Sequence, residues 1–526
     1  MKRKKQVMGI TLVILLFTIN SGCIFFEGIS FTVLSTTIDN YYGFPSLIIR
    51  FRVNDIIVVN LIDPNKQVVF TDSYYSSESE MIIPLAPYRN SPQPGDYQLK
   101  IYDKNDNKIY NKTFIFKETN FSIVSAKGHW WKENSEDIKY SLIGITLAVT
   151  NNGDLPIYPY SLDFIIDNKS ISADILPTVV FPGENRSINS LLYIDNIEAG
   201  ERNCHISTYD KNGEILANLS FQTTPEENVP IRHFNWNHNG KKEISIPYPH
   251  FLSDYYSSLD RLSIKDYAAY VFDPYDDLYL TLIVDSLTSI VGDAEDISKI
   301  NLVASFAQSL EYGEDDPLNS SNEYPLYPIE VLNNRSSDCE DRSILTGNIL
   351  MLMGFDVSLL SLPKHMAVGV HIDQNLSNYS FYVDEYYYLE TIKENMVLGD
   401  VPLRYRNISE EAVIYPLISR PVLHHEWINA NGILINDELD LVKLKFIIEN
   451  FGDESAEKIV ITGAFYSSNN AEYNQEKINI LSLQPGEKMI VNLNLNVPKD
   501  VTTILKTKLY IDGALVEEKK SDSTFS

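Results

Sequence analysis

Short stretches in which apolar and polar residues alternate recur along most of the chain. Tyr97-Gln98-Leu99-Lys100-Ile101-Tyr102 is one, entered from Pro94-Gly95-Asp96 and left through a polar turn. Period-2 alternation turns successive side chains to opposite faces of a strand, one toward a core and one toward water. Turn signals follow one another at about 8–12 residues through 27–118, the spacing of an all-β sandwich. Residues 119–226 and 425–526 read in the same way, so three β modules are predicted. The pattern changes in 227–420. Ile300 to Leu310 carries Leu302, Val303, Phe306 and Leu310 on one helical face. Residues 339–353 carry Leu345, Ile349, Leu352 and Met353 at helical spacing, and Gly354 follows as a stop. Strand-like runs then come at Val357 to Leu362, Met366 to Ile372 and Tyr386 to Glu390. A helix followed by antiparallel strands is α+β text, and any chemistry is expected there.

Two of the β modules share a pattern. Asn151-Asn152-Gly153-Asp154 corresponds to Asn450-Phe451-Gly452-Asp453, and Pro182-Gly183-Glu184 corresponds to Pro485-Gly486-Glu487. Both steps are turn chemistry, because Asn and Gly tolerate the left-handed backbone. These segments resemble the immunoglobulin-like adhesion modules of prokaryotic surface proteins, which serve as spacers or binding platforms.

Composition narrows the partners. The 526 residues carry 43 Lys+Arg against 71 Asp+Glu, a net charge of −28. A nucleic-acid binder needs a basic footprint, and so does a protein docked on anionic lipid; neither fits. Three cysteines, Cys23, Cys204 and Cys339, cannot make a disulfide framework. The amino end reads as an export signal. Lys2, Arg3, Lys4 and Lys5 precede an apolar run from Met8 to Ile19, which is too short to span a bilayer of about 30 Å. Cys23 follows Ser21-Gly22 and resembles the lipidated cysteine of exported lipoproteins, with Asn20 where Leu is usual. An uncleaved anchor is the alternative, since Ile24, Phe25 and Phe26 extend the apolar stretch. Both place the rest of the chain outside the membrane. Sequons at Asn111, Asn120, Asn168, Asn185, Asn218, Asn334, Asn375 and Asn407 fit an exported protein.

The residues that could carry chemistry cluster in 227–420. Within Ser336-Ser337-Asp338-Cys339-Glu340-Asp341, either Ser337 with Glu340 or Asp338 with Asp341 makes a capping box. Each choice puts Cys339 in the first helical turn, where the dipole favours a thiolate; the flanking carboxylates oppose it. His365, at the start of a strand, is the expected base, and Glu390 the acid that orients it. His371 is a rival base on the same strand, and Asp384 and Glu385 are rival acids. Gln308 is a candidate oxyanion donor. Cys204, beside His205, reads as a quiet thiol of a β module. His424-His425 needs no ligand to explain it, and Glu311 to Asp316 lacks a calcium loop. No metal or cofactor is expected.

These residues carry a second resemblance. Tyr327-Pro328-Ile329-Glu330-Val331-Leu332, Asp338-Cys339-Glu340-Asp341, Gly354-Phe355-Asp356-Val357, His365-Met366-Ala367-Val368-Gly369 and Tyr387-Tyr388-Leu389-Glu390-Thr391 are similar to the transglutaminase-like superfamily. The short prokaryotic and archaeal branch is the nearest in style. Asp273-Pro274-Tyr275-Asp276-Asp277 and the segment with Phe306 and Gln308 add to the likeness. The resemblance implies an α+β, papain-like core in 227–420, flanked by β-sandwich domains, with Cys339 as nucleophile, His365 as base and Glu390 in the place of the usual Asp. Glu340 stands where the large animal cross-linking enzymes have Trp. The expectation is an exported, membrane-tethered cysteine enzyme that hydrolyses amide bonds of a protein or peptide substrate. The β modules would meet a cell-surface polymer. A cross-linking enzyme and a non-enzymatic adhesion protein with a degenerate core are the alternatives.

Overall fold

The computed structural model describes residues 29–133, 138–261, 264–313, 324–333, 336–435 and 438–525. The leader with Cys23, the sequon at Asn334 and the acidic residues Glu314 to Asp316 lie outside them. No helix among the described residues is long and apolar enough to cross a membrane.

The α+β, papain-like expectation is not met. Strand takes 51% of the chain and helix only 14%, spread over many small antiparallel sheets. The helical periodicity around 300–310 and 339–353 implies an α+β core for 227–420 only, between β modules. The alternating text around that core dominates instead.

Each β module is a pair of antiparallel sheets. In the first, Phe31–Tyr41, Phe44–Val53 and Glu80–Pro84 make a three-stranded sheet. Val68–Tyr74, Ile57–Ile62, Gly95–Asp103 and Lys108–Phe116 make the facing four-stranded one. Counted along each module, the strand order is first–second–fifth in one sheet and fourth–third–sixth–seventh in the other. The same order recurs in residues 121–223 and in 423–525. The alternating faces close on one core per module, such as Ile49, Phe51, Val59, Leu61, Leu99 and Ile101 in the first.

The repeated turns hold matching positions. Asn151, fully buried, donates to the Leu155 and Val180 carbonyls at 2.8 Å each and accepts from Gly153 N–H at 3.0 Å. Asn450 donates to Glu454 and Leu483 at 2.7 and 3.0 Å and accepts from Gly452 and Val422. A buried amide that uses both ends ties a turn to the strand beneath it.

Residues 231–416 contain a hairpin, Ile231–Asn237 with Lys241–Pro247, then six helices, then a four-stranded sheet. The sheet runs Tyr387–Leu389, His365–His371, Asp356–Leu362, Val413–Pro416. The helix Cys339–Leu352 is buried from Asp341 through Leu350. A helix buried on all sides belongs inside a layer; the other helices and the sheet share its apolar core, with Ile344, Leu345, Ile349, Leu359 and Val368 in one cluster, while its buried Arg342 and Asn348 find polar partners in Ser337 and the Val271 carbonyl.

Cations join the parts, Arg89 and Lys443 buried and Lys211 half-buried. Arg89, on the loop between the fifth and sixth strands of the first module, donates to Tyr275 Oη at 2.6 Å and to the Ile175 carbonyl at 3.4 Å. Lys211 of the second module pairs with Glu487 of the last at 2.7 Å. Lys443 of the last module lies between Asp72 at 3.0 Å and Glu78 at 3.6 Å of the first, over the Tyr74 ring. First and last modules therefore touch, although they stand at opposite ends of the sequence.

Candidate active site

The cysteine helix begins with a capping box. Asp338 accepts from Asp341 N–H at 3.3 Å, and Asp341 accepts from Asp338 N–H at 3.1 Å. Of the two boxes readable in the sequence, the acidic one forms. Ser337 instead accepts from the buried guanidinium of Arg342 at 3.1 Å. Asp341 also accepts from Leu326 N–H at 2.8 Å, which fixes the chain entering the site. Gly354, at φ 87°, lets the chain leave the helix in the left-handed region. The strand pair Asp356–Leu362 and His365–His371 then turns back across the helix, with Leu362 opposite His365.

This hairpin brings the amide of Met366, next to His365, against the Cys339 sulfur. The thiol itself donates to Glu340 Oε2 at 3.0 Å. Its pKa is driven well above the ordinary thiol range, first by burial and then by the charge and hydrogen bond of Glu340, while the Met366 amide works the other way. Cys339 is thus a protonated thiol in this arrangement.

His365 and Glu390 are both buried. Imidazole Nε2 lies 3.0 Å from Tyr388 Oη, and that hydroxyl donates to Glu390 Oε2 at 3.0 Å. The direct Nε2 to Oε2 separation is 3.4 Å. The other carboxylate oxygen, Oε1, accepts from the amides of Thr391 and Ile392 at 3.0 and 3.1 Å. Burial raises the Glu390 pKa, but hydrogen bonding and charge from His365, with the Ile392 amide and Tyr388, outweigh it and hold the carboxylate ionised. On its open face the His365 ring stacks on Tyr405, centroids 4.6 Å apart and planes 4° from parallel.

His365 and Glu390 therefore meet, through Tyr388, and Cys339 lies against the amide of Met366, the residue next to His365, with its thiol turned to Glu340. Gln308 does not join them as an oxyanion donor. Its amide nitrogen donates to the carbonyls of Glu390 at 2.9 Å and Met396 at 3.0 Å, so its two hydrogens are already taken. The residue braces the segment that carries the acid. His371 ends the strand that His365 begins, six steps or about 20 Å away, and pairs loosely with Asp356 and Asp373. Asp384 and Glu385 are exposed, Asp384 at φ 46° in a turn. Cys204 is buried in the second module, its pKa pushed up to about 12 by burial and by Asp167. His424 and His425 both bond the Glu517 carboxylate, at 2.8 and 2.6 Å. Among the described residues no group of three His, Cys, Asp or Glu side chains could hold a metal ion.

Two residues of the site have no assigned role in the sequence reading. Tyr388 is one, and strand parity puts it on the face of Glu390. Tyr405 reaches His365 from a separate turn, Leu403–Tyr405, and nothing local marks it.

No protein-family model matches the chain, and no curated protein matches its sequence. Among solved structures, a transglutaminase of red sea bream aligns over 72% of this chain and 79% of its own, at 9% identity and TM-score 0.16. An exo-chitosanase of Amycolatopsis orientalis aligns over 91% and 76%, at 9% identity and TM-score 0.17. Beta-glucosidase 3B of Thermotoga neapolitana aligns over 19% and 16%, at 13% identity and TM-score 0.13. These structural neighbours are enzymes, but the likenesses are too slight to carry an argument about activity. The chemistry rests on the residues themselves.

Proposed function

We propose that this protein is a thiol enzyme that hydrolyses amide bonds of proteins or peptides, tethered by its amino end at the outer face of a membrane. The observation that carries the reading is the buried relay His365, Tyr388, Glu390, with the half-buried Cys339 thiol against the neighbouring Met366 amide. A thiol at a helix start, an imidazole and an ionised acid are the parts that covalent acyl transfer needs. With Nε2 turned to Tyr388 and Glu390, Nδ1 is the nitrogen that exchanges a proton with the thiol. His365 takes that proton as Sγ bonds to the amide carbonyl carbon. The C–N bond breaks as His365 protonates the leaving nitrogen, and a thioester remains on Cys339. Water then gives a proton to His365 and adds to the thioester. The C–S bond breaks, the carboxylic acid departs, and the thiol is restored. The motif likeness to the transglutaminase-like superfamily supports the same roles. The basic and apolar amino end supports export.

One observation favours a second reading. The Cys339 proton points at Glu340 and Tyr405 covers His365, an arrangement suited to a non-enzymatic surface scaffold. The two readings separate by labelling with a thiol-directed activity probe at neutral pH. An enzyme labels at Cys339 in the parent and not in Cys339→Ala; equal labelling of both sinks the enzymatic reading. Incubating surface proteins with an isotopic amine then separates hydrolysis from cross-linking by mass spectrometry. Amine incorporation at Gln side chains, without new peptide ends, would replace hydrolysis by cross-linking.

A further inference from the structure

A cavity of about 360 Å³ opens beside the acid, lined by Glu390, Ile392, Lys393, Pro402, Leu403 and Arg404. Its walls divide by chemistry. Ile392, Pro402 and Leu403 are apolar, and Leu403 stands 80% exposed. Together with the half-buried Ile392 and Pro402 it gives the cavity an apolar wall against which an apolar group can pack. The other part of the lining is cationic. Lys393 and Arg404 are exposed, and neither has a carboxylate within ion-pair distance among the described residues. Arg404 is positioned by its own neighbour, its guanidinium 4.5 Å over the Tyr405 ring. Arg406 adds a third cation on the same turn, tied by Nε to the Val401 carbonyl at 3.0 Å.

The nearby carboxylates offset this charge only in part: of the lining residues Lys393 and Arg404 are cations and Glu390 alone is an anion. Glu390 is engaged by Tyr388, His365 and two amides. Asp400 is held by Tyr379 Oη and Val397 N–H. Glu394 follows Lys393 in the chain but does not line the cavity. In a chain of net charge −28, a concave spot with two cations is set apart from its surroundings. Such a spot concentrates anions.

We propose that this cavity is a substrate subsite, and that it takes an apolar side chain with a carboxylate next to it, so that the substrate is an acidic peptide. The proposal rests on the thiol-enzyme reading and names its substrate class. The apolar side chain packs between Ile392 and Leu403. The carboxylate, from an Asp or Glu side chain or from a free chain end, meets Lys393 and Arg404.

The test measures binding apart from turnover. The full chain carrying Cys339→Ala is titrated with dye-labelled Ala-Leu-Glu-Ala and Ala-Leu-Lys-Ala, each with its carboxyl end amidated, and with Ala-Leu free at its carboxyl end, all read by fluorescence anisotropy. The expected result is at least about tenfold tighter binding of an acidic probe than of the Lys probe, weakening with salt. The double charge reversal Lys393→Glu with Arg404→Glu inverts the order, and since both side chains are exposed the fold should tolerate it. Whichever acidic probe binds more tightly identifies the carboxylate, side chain or chain end. Equal binding of acidic and Lys probes, or an order untouched by charge reversal, overturns the subsite. A failed enzyme reading looks different: the parent chain turns over none of these peptides, while the charge preference in binding persists.

Discussion

Replacing Glu340 by Gln should free the Cys339 thiol. The substitution keeps an acceptor oxygen 3.0 Å from sulfur but removes the charge that faces it. A hydrogen bond to a charged partner contributes about 1.5–3 kcal/mol, equivalent to about one to two pH units on the thiol. Burial, the larger cause of the raised pKa, is left unchanged. Each unit of lowering gives about ten times more thiolate, but a less basic thiolate is less nucleophilic, with a slope of about 0.4–0.5. Iodoacetamide should therefore react with Cys339 about 3- to 16-fold faster at neutral pH. The assay follows carbamidomethylation by peptide mass spectrometry over a series of pH values. Cys204, buried in another module, serves as internal reference and should not change. The whole rate profile of Cys339 should move to lower pH by the same one to two units, roughly. A Glu340→Gln profile that overlays the parent would refute the reasoning, because the contact would then have no hold on the thiol.

The remaining predictions concern the relay, a turn and a buried acid. Tyr388→Phe removes the hydroxyl between His365 and Glu390 and leaves a 3.4 Å gap; kcat/KM should fall about tenfold, with a displaced pH profile, for a lost hydrogen bond of about 1.5 kcal/mol. An unchanged pH profile would reduce Tyr388 to packing. Asn450→Ala strands two amides and two carbonyls, and at about 1 kcal/mol each the last module should lose about 4 kcal/mol. Hydrogen exchange at Gly452 checks this, and a loss below about 1 kcal/mol would contradict it. Asp277 has its pKa pushed up to about 6 by burial and by Asp273. A carboxyl raised in the folded state binds its proton more tightly there, so its stabilising effect fades as pH climbs from about 4 to about 6. Asp277→Asn should raise stability by about 2–3 kcal/mol at pH 7.5 and by nothing at pH 4. Denaturant midpoints that shift equally at both pH values would count against the buried charge.

The parts of this structure that were legible in the sequence are those set by neighbours in the chain. The Asn151 and Asn450 turns could be read because Asn-x-Gly-Asp forms its bonds within four residues or to one strand beneath. The capping box around Cys339 is equally local. The first module shares the seven-strand order of the other two, yet its second strand ends at Val53 without that turn motif, so its alternation could be read but the common order could not. Gln308 looked like a free helical amide because its two partners lie beyond position 389. Tyr405 was hidden for the same reason, since stacking on His365 depends on where a distant turn lands. The fold class failed differently. Helical periodicity in two segments was sound, but a class is a property of the whole chain, and the short alternating strands outnumber everything else.

Arg89, Lys211 and Lys443 give the molecule a closure that its backbone does not supply. Cutting the chain at a connecting loop removes one covalent path between parts that are also clasped elsewhere. A nicked protein would keep its pieces together, with the Cys339 helix still seated on its sheet. Such a cleavage event would leave a scar and not a separation. Lys443 is the weak rivet: without it, Asp72 and Glu78 lose the cation between them, and the ends of the ring would part first.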